Sequence, residues 1–336
     1  MEVGNITEEM FLERNRISKD DWNKSSMDWD SLKKIGLDHE QKIEQLKETA
    51  ELFARIIQRC KQVHSVRWRV KDPEHLMEKI VRKTQKDEKT YNSNYDGINE
   101  LNYSDIITDL VGIRALHLFK DDCFEINNYL NGMWDKKDKT IYYVRNGDEL
   151  VNNNLPDDFE VKIHPAGYRS IHYVFESKPL NKTIYTEVQV RTIFEEGWSE
   201  IDHKVRYPNF IDNEQVSSFL MIFNRLAGSA DEMGSFVKDL VNDISQKNKI
   251  IDEISQKNDS NAKEIDRLFN ALEKSKGKNS ESNALIDQLK QQVDKLKNQP
   301  TDNNIWLVNT SNVKSKMPSP SVKASEIIKL NLKGYK

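Results

Sequence analysis

Tyr185-Thr186-Glu187-Val188-Gln189-Val190-Arg191-Thr192 is the stretch from which the fold can be read. Glu187, Gln189 and Arg191 alternate with Val188 and Val190, and successive side chains of a strand point to opposite faces. One face is therefore apolar, while the other shows a carboxylate, an amide and a guanidinium in a row. A plain surface strand more often carries Thr, Lys and Glu without such order. The stretch reads as a half-buried strand with a working polar face.

Outward from it, residues 112–119, 141–144, 170–175 and the full 183–191 run have the β-branched and aromatic character of strands. Helical stretches at 74–86, 122–134 and 194–205 lie between or beside them. Strands mixed with helices over roughly 150 residues predict a mixed-sheet α/β or α+β domain.

The flanks read differently. Ile43, Leu46, Ala50, Phe53, Ile56 and Ile57 recur at three- and four-residue spacing. They predict a helix over 38–60, with Asp38 as N-cap and Gln41 completing a capping box. Towards the C-terminus, Val237, Leu240, Ile244, Ile251, Ile254, Ile265, Leu268 and Leu272 form one helical seam. Leu285, Leu289, Val293 and Leu296 form another. The echo Ile-Ser-Gln-Lys-Asn at 244–248 and 254–258 has an interval of neither seven nor eleven, and reads as drift in a polar helix. Lys276-Gly277-Lys278-Asn279-Ser280 predicts a helix break. Helices this polar need a partner, either a coiled-coil mate or the rest of the chain. After residue 299, six lysines against two acids, with Pro318 and Pro320, predict a flexible basic tail. Residues 327–332 are its candidate strand or docking peptide. The expected organisation is a helical region over 1–60, the α/β or α+β domain over 61–215, helices over 216–299 and the tail over 300–336.

Composition narrows the class. With 37% hydrophobic and 32% charged residues among 336, and a mean hydropathy of -0.77, part of the chain is expected to be solvated helix or tail. A net charge of -4 gives no bulk attraction to nucleic acid or membrane, so such affinity would need a local patch. Apolar runs fall far short of the roughly 20 residues of a membrane span. Met1-Glu2-Val3-Gly4-Asn5 shows no basic, apolar start of a secretory signal. Cys60 and Cys123 form neither a metal spacing nor a disulfide framework. The expectation is a cytoplasmic protein with no membrane partner.

Three patches carry chemistry. Arg67, Arg69 and Lys71 precede Lys79, Arg82 and Lys83, whose spacing places the last three on one helical face. Such a cluster can hold a triphosphate through charge-assisted hydrogen bonds, although a bare charge run is more often a solvated face. Thr108-Asp109-Leu110-Val111-Gly112-Ile113-Arg114 sets an acid just ahead of an apolar strand. With Glu187 on a neighbouring strand, Asp109 could bind Mg²⁺ together with nucleotide phosphates. Between them, His164-Pro165-Ala166-Gly167-Tyr168-Arg169-Ser170-Ile171-His172 ends a loop at Gly167 and begins a strand at Tyr168. A base could stack on that ring, and taken alone a core tyrosine is the simpler reading.

Together these segments resemble the synthetase domain of RelA/SpoT-type alarmone synthetases, most nearly the small single-domain ones. The resemblance rests on Arg69-Val70-Lys71 with Lys79, on 109–114, on 167–172 and on 187–192. Trp198 and Ile201-Asp202-His203 extend it. It covers roughly residues 61–210 and leaves the flanks uncovered.

The resemblance implies an α+β, nucleotidyltransferase-like mixed sheet flanked by helices. It implies Arg69, Lys71 and Lys79 on the ATP phosphates, and Arg114 on or near the adenine. Asp109 would hold Mg²⁺, with Glu187 a second metal contact or the base. Tyr168 would stack on the acceptor base, with Gln189 and His172 placing the acceptor. The implied reaction is attack of a ribose 3′-oxygen on the β-phosphorus of ATP, expelling AMP, with GDP or GTP as acceptor. Two departures fall on the acceptor side: His164 stands where many guanosine-specific members have lysine, and Glu196 where small synthetases often have asparagine. They motivate an alternative acceptor, tRNA 3′ ends or adenosine nucleotides, as in toxin-like relatives. Neither His39 nor His64 sits in the His-Asp arrangement of the family's degradative domain. A different class of reading is a catalytically silent helical interaction protein, against which the set Arg69, Lys71, Asp109, Tyr168 and Glu187 argues. Self-association through the helical regions, and a protein regulator, are the expected partners.

Overall fold

The alternation at 184–192 does place a strand at the centre of the molecule, and the sheet grows on both sides of it. The computed structural model describes residues 2–86, 88–148, 155–164, 166–179, 183–205, 213–274 and 280–297. It divides into two compact units, Met1–Ser245 and Gln246–Lys336. The expected break at 276–280, apart from Ser280, and the tail with its candidate strand lie outside the described residues.

In the first unit, helices α1 (Glu8–Arg14), α2 (Lys19–Lys24) and α3 (Trp29–Ile57) lead into β1 (Ser65–Val70) and α4 (Pro73–Thr84). The short α5 (Tyr103–Ile106), β2 (Val111–His117), α6 (Asp122–Asn131), β3 (Asp135–Lys136), β4 (Thr140–Val144) and β5 (Phe159–Ile163) follow. Then come β6 (Ser170–Ser177), β7 (Ile184–Thr192), α7 (Ile193–Val205) and α8 (Glu214–Lys274). The sheet order is β1-β2-β7-β6-β4-β5, with β3 added to β6. β2 runs parallel to β7 and β4 to β5, while the other pairs are antiparallel. This is the mixed sheet with flanking helices that α+β predicts.

Alternation decides which face is dry. Val111, Ile113, Ala115, Ile171, Tyr173, Phe175, Val188 and Val190 point one way, into a core closed by Leu46, Ala50, Phe53 and Ile57 of α3 and by Cys123, Ile126 and Leu130 of α6. Removing that much apolar surface from water is the main stabilising term. A second cluster joins the first half of α3 (Leu32, Ile35) to Leu76, Met77, Ile80 and Val81 of α4 and to Tyr103, Ile107 and Leu110. α3 thus spans both clusters. It starts at Trp29, capped by Asp28, whose side chain accepts from the Ser31 N–H. Asp38 is therefore no N-cap but a mid-helix residue paired with Lys42. The apolar face continues backward through Ile35, Leu32 and the buried His39, across a Gly36 that interrupts the apolar pattern in the sequence.

β1, β3 and β5 escaped the reading by pattern. β1 is an edge strand whose residues still alternate, Val66, Trp68 and Val70 with Arg67 and Arg69, with Val66 and Val70 packed against the core. The second unit holds the C-terminal part of α8 and α9 (Ser280–Lys297), with Lys290 paired to Glu273 at 3.1 Å.

Candidate active site

The polar face of the sheet is assembled in rows. Register sets Arg67 opposite Arg114, Arg114 opposite Gln189, and Gln189 opposite His172. Two residues along, Arg69 lies opposite Gly112 and Gly112 opposite Glu187. At Gly112 an added Cβ would meet the Arg69 side chain at 3.5 Å, an ordinary contact, so Arg69 packs directly over the glycine. A cleft of about 340 Å³ opens here, lined by Arg67, Trp68, Arg69, Gly112, Arg114, Glu187, Gln189, Glu200 and His203 among others.

At one end sits Asp109. The antiparallel β1–β2 pair continues one step past its strands, where the Lys71 N–H donates to the Leu110 carbonyl at 2.9 Å. That sets Lys71 beside Asp109, with Nζ–Oδ2 at 2.8 Å. α4 supplies the second cation. Asp72 caps it, accepting from the Glu74 and His75 amides, and Pro73 occupies its first turn. Its apolar face is buried, which holds Lys79 Nζ at 2.7 Å from Asp109 Oδ1. Burial opposes a charge on Asp109, yet Lys79 and Lys71 hold its carboxyl down at about 2. A residue that pattern reading missed supports this arrangement. His39, fully buried on α3, donates from Nε2 to the Lys71 carbonyl at 2.8 Å. Nothing in the sequence marks His39, because its role exists only once α3 crosses the end of β1.

Glu187 lies in the next row. Gln189 Nε2 donates to one carboxylate oxygen at 2.8 Å, and His172 Nδ1 faces the other at 3.4 Å. Burial opposes its charge and Asp109 repels it, but His172 and Gln189 keep its carboxyl below the usual carboxylate range. Both acids are therefore anions at neutral pH. Among the described residues no group of three or more His, Cys, Asp or Glu could hold a metal ion.

Tyr168 stands in the loop just before β6 and does not begin the strand. Gly167, at φ +74°, makes the left-handed turn that aims it, and Asn224 of α8 donates to the Gly167 carbonyl at 3.0 Å. The phenol oxygen lies 3.2 Å from His172 Nε2 and 3.4 Å from Gln189 Oε1. Arg191 covers its ring at 5.1 Å, and Tyr143, His164 and His172 stand edge-on or tilted around it. His164 is thus an aromatic neighbour of Tyr168.

Glu196, expected on the acceptor side, meets three arginines. It is buried on α7, and its carboxylate takes Arg67 and Arg114 on Oε1, both at 3.0 Å, and Arg191 on Oε2 at 3.1 Å. Glu200, one turn on, also binds Arg114. Glu195 is buried as well, paired with Arg169. The structure therefore brings Arg69, Arg114, Glu187 and Gln189 to the cleft. It adds Asp109, Lys71 and Lys79 as a cluster beside Glu187, sets Tyr168, His172 and His164 as an aromatic wall, and withdraws Glu196 beneath the arginines. Arg67 and Glu200 join the site, and the i, i+4 spacing of Glu196 and Glu200 could have signalled the latter.

No described helix is long and apolar enough to cross a membrane. Residues 68–212 match the family model for a region found in RelA / SpoT proteins. The chain is similar to the GTP pyrophosphokinase YwaC of Bacillus subtilis (strain 168), with 29% identity over 106 residues, 30% of this chain and 43% of that protein. It spans less than half the length of that relative. Among solved structures it is similar to a GTP pyrophosphokinase family protein from Streptococcus pneumoniae, with 23% identity over 60% of this chain and 91% of that one, at a TM-score of 0.42. It is likewise similar to the small alarmone synthetase 1 of Bacillus subtilis bound to its product pppGpp, with 21% identity over 61% and 95% and a TM-score of 0.41. Asp109, Glu187, Lys71 and Lys79 all lie within the matched residues 68–212.

Proposed function

We propose that the protein is a pyrophosphokinase that moves the β,γ-pyrophosphoryl group of ATP to the ribose 3′-hydroxyl of GDP or GTP. The observation that carries this reading is the pair of anionic carboxylates, Asp109 and Glu187, beside a cleft rimmed by Arg67, Arg69 and Arg114. The RelA/SpoT match and the similarity to a GTP pyrophosphokinase support it.

Phosphoryl-type transfer leaves little covalent work to a protein and depends on positioning and charge. Lys71, Lys79 and Arg69 hold the triphosphate, the two lysines turning from Asp109 to the phosphates as nucleotide enters. Arg114, held from below by Glu196 and Glu200, presents its guanidinium plane near the adenine. Tyr168, Gln189 and His172 place the acceptor nucleoside. The 3′-oxygen forms its bond to the β-phosphorus, the bond from that phosphorus to the α,β-bridging oxygen breaks, and AMP departs. Glu187, kept anionic by His172 and Gln189, takes the hydroxyl proton. Two carboxylates fit Mg²⁺, which commonly takes one or two of them and completes its shell with phosphate oxygens and water. Asp109 and Glu187 would hold it, and when bound it offsets charge on the transferring group. No step needs a further protein ligand.

The test is to incubate the protein with Mg²⁺ and ATP labelled at the γ-phosphate, offering GDP, GTP, adenosine nucleotides or bulk tRNA in parallel. Label in a guanosine tetra- or pentaphosphate, lost in Glu187→Gln, is the expected result. Label in tRNA or adenosine products instead would show that His164 redirects the acceptor. No transfer to any acceptor would return the chain to the class of interaction proteins.

A further inference from the structure

Beyond residue 219, α8 carries two kinds of face. Leu220, Asn224, Ala227 and Asp231 are buried against the first unit. Leu226, Met233, Val237, Leu240 and Ile244 point elsewhere and are exposed. Ile251, Ile254, Leu268 and Leu272 extend the exposed set, and all nine lie between 42% and 68% exposed.

These residues keep a strict repeat of seven. Val237, Ile244, Ile251, Asn258, Ile265 and Leu272 occupy one position of the heptad. Leu226, Met233, Leu240, Lys247, Ile254, Asn261 and Leu268 occupy the position four residues before it. The interval of ten between the two Ile-Ser-Gln-Lys-Asn copies hides this period, because Ile244 and Ile254 fall in different heptad positions. A straight helix drifts about 20° per heptad, so a seam held at seven implies a left-handed supercoil around a partner helix. Branched residues at the first position (a) with Leu or Met frequent at the second (d) favour two parallel strands.

We infer that α8 pairs with α8 of a second copy of this chain, in parallel and in register, along Leu226–Leu272. Self-pairing is favoured because the polar interruptions match only themselves. In register, Asn258 meets Asn258 and their amides can hydrogen-bond, whereas a slip by one heptad buries an amide on Ile251 or Ile265. No pair of like charges opposes it at the flanking positions, where Asp243 meets Asn248, Lys257 meets Ala262 and Glu264 meets Phe269. Lys247 weakens the seam, since two ammonium groups must reach past it to solvent.

The test is the mass of the full chain in solution by multi-angle light scattering or sedimentation. Twice the 39.3 kDa of one chain is expected, falling to a single mass in Leu240→Glu/Ile251→Glu, whose sites are exposed in one copy. Lys247→Leu should tighten the dimer by about tenfold or more, because it replaces a charged seam position with the residue that seam favours. Cysteine introduced at Ile251 should cross-link to itself on oxidation, and a pair requiring Ile251→Cys with Val237→Cys on different chains should not. A single mass for the native chain at tens of micromolar would overturn the inference. So would a dimer that survives the double glutamate variant, since that dimer uses another surface. Preferential cross-linking of unlike positions would overturn the parallel register. None of these readouts requires the transfer reaction.

Discussion

Two carboxylates near the cleft, Asp109 and Glu196, are each paired with several cations, and the two clusters differ in kind. Asp109 meets two lysines and its side chain is 17% exposed. Glu196 meets three guanidinium groups and is 7% exposed. An ammonium on a flexible stem is a point charge that can turn to an incoming phosphate. A guanidinium held between fixed carboxylate oxygens is committed to its geometry. Under the proposed function the first cluster exchanges its partners for a ligand, while the second holds Arg114 between Glu196 and Glu200. Residue type alone does not tell an active-site acid from a structural one; the cation it meets, and how far that cation can move, does.

A third acid completes the contrast. Asp231 of α8 is buried and accepts one hydrogen bond, from Thr192 Oγ1 at 2.9 Å. Burial raises its carboxyl to about 7, with Glu195 adding repulsion. Burial opposes the charge of both Asp109 and Asp231, and two adjacent ammonium groups separate their titrations.

The largest expected effects test the division between the first two clusters. Asp109→Asn should lower pyrophosphoryl transfer by roughly 10²–10³-fold, the scale of losing one preorganised electrostatic group, and at neutral pH it should also lose the about 2 kcal/mol that its depressed carboxyl contributes to stability. An active Asp109→Asn would place the working acid elsewhere. Glu196→Gln should differ in kind. It leaves buried guanidinium groups without their anion, at about 3–5 kcal/mol by denaturant unfolding, with a rise in KM for ATP exceeding any fall in kcat. If its stability matches the native chain, Glu196 is not the anchor described above.

The pH dependence sharpens the third acid. A carboxyl whose folded value is raised binds its proton more tightly in the native state, so stability falls as pH rises from about 4 through about 7. Asp231→Asn should therefore be more stable than the native chain at pH 8, by about 1–4 kcal/mol, and the difference should vanish below pH 4. Asp109 has the reverse sign. Its depressed value contributes stability that is present above pH 4 and lost as pH falls through about 2. The smallest effect belongs to Arg67→Ala. Its side chain is 58% exposed, so its bond to Glu196 should contribute no more than about 1 kcal/mol. A larger loss would mean that Glu196 depends on all three arginines equally.

How much of this was legible in advance varies with the element. β7 and β2 were, since buried strands alternate and their polar residues are few. β1 hid behind its charge: Val66, Trp68 and Val70 alternate with Arg67 and Arg69, but so short a segment also reads as a basic run. α3 was half legible: its later apolar residues repeat cleanly, whereas its start depends on a second core that forms only when α1, α4 and the loop before β2 meet it. Glu187 and Gln189 share a strand face, and the structure sets Tyr168 against Gln189. Neither the bond of His39 to the Lys71 carbonyl nor the meeting of Glu196 with three arginines carries a signal in the sequence.

The sequence by itself determined which residues share a strand face, which helices have an apolar side, and which segments resemble those of RelA/SpoT-type proteins. These follow from periodicities of two and 3.6 and from local residue order. Tertiary structure decided which charges meet. Arg67, Arg114 and Arg191 come from three strands and converge on a glutamate from the helix after the last of them. Lys71 and Lys79 close on Asp109 across 38 and 30 residues of chain, counted from their positions. The energy of an ion pair depends on distance and burial, neither of which is a property of the chain order.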